Sequence, residues 1–134
     1  MFNRIAIAAL SGGLLAGGLF ACPMAAYADA ASQIATAAQH AGLAAAATNL
    51  TQTRMHLHHA MNCLVGPQDG EFDKSNINPC AQQGKGAFPD QSNPEIRAKL
   101  QNAMTLVGDG IASSDEATAK KNAASAQTLL DGIK

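Results

Sequence analysis

Apolar residues recur at helical intervals in two stretches of this chain, and a turn-rich stretch lies between them. In the second helical stretch Ile96, Leu100, Ala103, Met104 and Val107 fall on one stripe at i, i+4, i+7, i+8 and i+11. Asn93 is placed to cap that helix, with Pro94 at its first position. Gly108 and Gly110 predict its end, and Ser113-Ser114-Asp115-Glu116 reads as a capping box for a further helix. Ala119, Ala123, Ala126, Leu130 and Ile133 form the inner face of that one.

The first helical stretch, 30–64, is dense in Ala, Leu, Met, Gln and Thr and holds no Pro. In His40-Ala41-Gly42-Leu43 a glycine precedes a hydrophobic residue, as a Schellman turn requires. This predicts a helix of about 31–41 turning into a second of about 46–64. One continuous Ala-rich helix is the alternative, because a single glycine costs only about 1 kcal/mol. Residues 65–93 carry Gly66, Gly70, Gly84 and Gly86 with Pro67, Pro79 and Pro89, and read as a loop insertion. The expected fold is all-α: an antiparallel four-helix bundle made of two helical hairpins joined by this long loop.

The amino terminus changes the picture of where such a bundle works. Arg4, an uncharged run from Ile5 to Ala21 and the small residues of Ala26-Tyr27-Ala28 together read as a signal peptide over 1–28, cleaved before Asp29. A rival reading takes Leu19-Phe20-Ala21-Cys22 as a lipoprotein site, against which stand the bulky Phe20 and the Ala-x-Ala site just beyond. The working molecule is then one periplasmic or secreted domain over 29–134, including the 65–93 insertion. Without Arg4, eight Lys and Arg face ten Asp and Glu. No basic field for nucleic acid and no polybasic membrane patch remains. Phe72 and Phe88 are the only Phe after residue 28 and there is no Trp, which suits closely packed helices rather than a sandwich or barrel. Cys63 and Cys80 are the two cysteines beyond the leader. In an oxidising compartment they read as a disulfide stapling the loop, and two metal-binding thiolates are the alternative.

The candidate chemistry lies in the histidines. All four fall in the first helical stretch, three of them within Met55-His56-Leu57-His58-His59. At about 100° per residue, Leu50, Leu57, Met61 and Leu64 define the core stripe of this helix. His59 then falls almost opposite the core, with His56 on one flank and His58 on the other. His56 and His59 are an i, i+3 pair, so both imidazoles can converge on one ion. The alternative reading is a pair of plain surface histidines, or of histidines that hydrogen-bond the loop that Cys63 and Cys80 fold back over them. Two ligands make a weak site. Further candidates are Met55 and His58 on the same surface, the loop residues Asp69, Glu71 and Asp73, or a second subunit in a homodimer. With a turn at Gly42, His40 lies on the order of 15 Å from His56, too far to join them. Imidazole with thioether suits copper, and imidazole with carboxylate suits zinc or nickel.

Ala38-Gln39-His40-Ala41-Gly42-Leu43 and His56-Leu57-His58-His59-Ala60 resemble the small periplasmic metal-binding proteins with a His-studded four-helix bundle. The resemblance implies binding of divalent metals and a buffering rather than catalytic role. This chain departs from that pattern in its four histidines, its 65–93 insertion and its cysteine pair, which points to a single site rather than high capacity.

Other chemistry finds less support. Asp69-Gly70-Glu71-Phe72-Asp73 alternates acids, but Lys74 and Cys80 stand where a calcium loop needs Gly and Glu. Gln83-Gly84-Lys85-Gly86-Ala87 lacks the Gly-Lys-Ser/Thr of a phosphate loop. No Cys-x-x-Cys-His exists for covalent haem, and non-covalent haem on His56, His58 or His59 would find few aromatic neighbours. No histidine has an evident nucleophile beside it, so an enzyme is not expected. The non-metal alternative is an interaction module that presents the 65–93 loop, with Phe72 and Phe88 turned to a partner.

Overall fold

The computed structural model describes residues 29–133, and the signal-peptide reading falls on residues outside these. Each long helix begins where a short polar side chain takes up its free amides. Asp29 accepts from Ala31 N at the start of α1 (Ala30–Ala46), and Asn49 accepts from Gln52 N at the start of α2 (Leu50–Val65). A one-turn helix, α3 (Ala87–Asp90), lies inside the insertion. Asn93 and Pro94 open α4 (Pro94–Ala112) as the sequence predicts. In α5 (Glu116–Asp131) the cap is Asp115, which accepts from Thr118 N. The expected capping box at Ser113 is therefore not formed: Ser113 instead accepts from Asp115 N and closes the turn before the helix. Among the described residues there are helices and no strands.

Two helix boundaries differ from expectation for one reason. Neither Gly42 nor the pair Gly108 and Gly110 ends a helix. A Cβ at Gly42 would stand 2.7 Å from Gln127 Nε2, and one at Gly110 would stand 2.8 Å from Leu57 Cδ1. These glycines let neighbouring helices approach, and tertiary packing outweighs their low helix propensity, about 1 kcal/mol each.

The four long helices pack around one core in a bundle-like arrangement. α1 lies against α2 and α5, α4 lies against α5 and α2, and α3 touches α1, α2 and α4. Alanines supply much of the interior: Ala37, Ala41 and Ala44 of α1, Ala60 of α2, Ala103 of α4, and Ala123 and Ala126 of α5 are fully buried. Leu57, Leu64, Leu100, Val107 and Leu130 fill the space between them. Small side chains bring the helix axes close, and this brings residues of α1 and α2 within reach of each other.

The insertion is fastened to the ends of the helices rather than left free. Cys63 and Cys80 form a disulfide with a Cα–Cα distance of 5.2 Å. Buried Asn62 donates to Asp73 O at 3.0 Å and Ile77 O at 3.1 Å, and accepts from Asp73 N at 2.8 Å. Buried Gln33 of α1 accepts from Gly86 N at 2.7 Å and donates to Asp90 at 2.9 Å. Phe72 and Phe88 are half-buried against the core, and the Arg97 guanidinium lies 3.9 Å over the Phe88 ring. Phe72 and Phe88 thus pack partly against the core, where the interaction-module alternative has them turned to a partner. No helix among the described residues is long and apolar enough to cross a membrane.

Candidate metal centre

Because α1 runs to Ala46 and α2 begins at Leu50, the hairpin turns at residues 47–49. Positions 40 and 56 average to 48, so His40 sits opposite His56 across this turn. The ring centroids of His40 and His56 are 5.7 Å apart, those of His40 and His59 5.1 Å, and those of His56 and His59 5.7 Å. The expectation that His40 lies on the order of 15 Å away is overturned. It rested on a turn at Gly42, which would have moved the pairing register by several residues. The signal that locates the turn is Thr48-Asn49, a polar break in an Ala-rich run that ends on a strong N-cap residue.

One nitrogen from each of His40, His56 and His59 can be chosen so that all three lie within 4.8 Å of one another, and this group could hold a metal ion. The i, i+3 spacing of the α2 pair sets two donors one turn apart, and α1 supplies the third from the facing helix. In a tetrahedral zinc site, bonds of about 2.0–2.1 Å place neighbouring donors roughly 3.4 Å apart. The donor nitrogens would have to close by about 1.5 Å to reach that spacing.

The histidines are not on an open surface. His59 is 6% exposed, and His40 and His56 are half-buried. The helical-wheel expectation that His59 points away from the core fails because α2 is covered on several sides. Thr53, Leu57, His59, Ala60, Asn62 and Cys63 are all buried, under α1, the other helices and the folded loop. Nδ1 of His40, His56 and His59 is in each case buried without a hydrogen-bond partner. Three such atoms in one place are unusual, since buried polar atoms are normally satisfied and each unsatisfied one costs about 1–3 kcal/mol.

Burial holds His40 well below the ordinary histidine value of 6.5, at about 4, and the neighbouring His59 and His56 add to the effect. Burial lowers His59 as well, with smaller contributions from His56 and His58. At neutral pH His40 is therefore a neutral imidazole, the form that binds metals.

The other residues singled out from the sequence lie differently. His58 places Nδ1 3.1 Å from Asp73 Oδ2 and is outside the group of three. Hydrogen bonds from Ser75 and Asn76 hold the Asp73 carboxyl down at about 2, and the nearby His58 contributes least. Met55 is 39% exposed, at i−4 from His59 on the same helix. Cys63, at i+4 from His59, is consumed by the disulfide with Cys80. Comparisons with protein families, curated proteins and solved structures find no match to this chain.

Proposed function

We propose that this protein is exported and binds a single metal ion on His40, His56 and His59, to buffer or hand on the metal rather than to catalyse a reaction. One observation carries the reading: three histidines from two facing helices converge to within 4.8 Å, each with a buried Nδ1 that no protein group satisfies. Met55, at i−4 from His59, is a further candidate donor of soft character, and copper, nickel and zinc are the ions whose chemistry suits imidazole. His58 serves the loop through Asp73. The domain is an antiparallel four-helix bundle of two hairpins, a reading supported by the three-residue connections 47–49 and 113–115. Export over a cleaved 1–28 leader is supported by the disulfide, which persists in oxidising compartments.

The experiment is calorimetric titration of the metal-stripped protein with copper, nickel and zinc, alongside His40→Ala and His58→Ala variants. Binding at one equivalent that His40→Ala abolishes and His58→Ala leaves intact is the expected result. Equal binding by wild type and His40→Ala would sink the three-histidine site.

A further inference from the structure

The donor set of this centre is uncharged, and so are most of its surroundings. Its three donors are imidazoles, and the group contains no carboxylate or thiolate. The helices that carry it, Ala30–Ala46 and Leu50–Val65, hold no Asp or Glu between them. Their one Lys or Arg is Arg54, two residues before His56, and its guanidinium donates to Ser113 O at 2.5 Å. Among the carboxylates near α2, Asp73 is engaged by His58, Ser75 and Asn76. An ion bound here meets neutral donors and no anion in the group.

The charge of the ion then decides what the site prefers. The desolvation penalty of an ion grows with the square of its charge, so a dication pays about four times the penalty of a monocation of similar size. Zinc held by three imidazoles keeps a fourth position, which solvent would have to fill here. A monovalent d10 ion is content with three donors and favours soft ones, and Met55 is one turn from His59. From this we infer that the centre selects monovalent copper over divalent zinc or nickel, because it offers three neutral donors and no anion. The inference rests on the three-histidine reading above and specifies its cargo.

The test is anaerobic competition. The metal-stripped protein is titrated against a chromophoric Cu(I) chelator with ascorbate present, and separately against a chromophoric Zn(II) chelator, at pH 7. The expected result is one Cu(I) per chain, held at least tenfold more tightly than Zn(II). A His40→Asp variant, which adds the missing anion, is expected to move the Cu(I)-to-Zn(II) affinity ratio at least tenfold toward zinc. Should that variant fail to fold by circular dichroism, His56→Asp at the other half-buried position takes its place. Tighter zinc than Cu(I) in the wild type overturns the selectivity while leaving the site in place. A ratio unmoved by the added carboxylate overturns the charge argument. Binding of neither ion overturns the site reading as well.

Discussion

The histidine cluster should make the metal-free protein lose stability in mild acid, far above the range in which carboxylates titrate. His40 has a folded pKa of about 4 against 6.5 for the ordinary side chain. The unfolded chain therefore binds the proton first, and stability rises with pH between these values. Its contribution is complete above about pH 6.5 and is lost as pH falls toward 4. For this single group, the two pKa values set an upper bound of about 2 kcal/mol on the loss between pH 7 and pH 5, which solvent screening at the half-buried ring reduces. His59, also held down by burial, adds in the same direction. With a urea m-value of about 1–2 kcal/mol per molar, the unfolding midpoint should fall by about 1–2 M over these two pH units. The assay is urea denaturation followed by circular dichroism in a chelating buffer at pH 5, 6 and 7. His40→Gln cannot take up the proton, so it should keep only the shallower dependence due to His59. If wild type and His40→Gln show the same slope, His40 is not a buried neutral imidazole and this account of the site is wrong.

Three further outcomes follow from the loop and its anchors. Reducing Cys63–Cys80, a bond across a separation of 17 residues, should destabilise the protein by about 3 kcal/mol, read as a lower urea midpoint with reductant; an unmoved midpoint contradicts it. Asn62→Ala leaves Asp73 N and the Asp73 and Ile77 carbonyls without their partner. It should cost about 2–4 kcal/mol and speed amide exchange at Asp73, whereas unchanged exchange there would show that the loop holds itself. The Asp73 carboxyl titrates at about 2 against an ordinary 3.8, so its contribution is complete above about 3.8 and is lost as pH falls through 2. Asp73→Asn should flatten the fall in Tm between pH 4 and 2, and an unchanged acid limb would refute that assignment.

Helix type was legible in the sequence, and so was the cap of α4, whereas the cap of α5 is Asp115 rather than the expected Ser113. Asn93-Pro94 marks the start of α4 because capping needs only a side chain and the amides beside it. The all-helical class and the Cys63–Cys80 bond were readable from composition and from cysteine parity. Helix ends at glycine were misread because Gly42 and Gly110 answer to Gln127 and Leu57, residues distant in sequence. His40 was lost through that same misreading, since a misplaced turn shifts every cross-hairpin pair. The burial of His59 was equally out of reach of a helical wheel, which knows one core direction while α2 is covered from several. α3 is too short for any periodicity to reveal it.

The turn at 47–49 also fixes when the centre can form. His40, His56 and His59 lie within one helical hairpin, so no chain beyond Val65 is needed to bring them together. Closing so short a segment costs little entropy, and contacts local in sequence form early in folding. A bound ion would therefore act as a nucleus, fastening α1 to α2 while α4 and α5 are still seeking their places. On the metal-binding reading proposed above, the metal would then be a folding partner as well as a cargo.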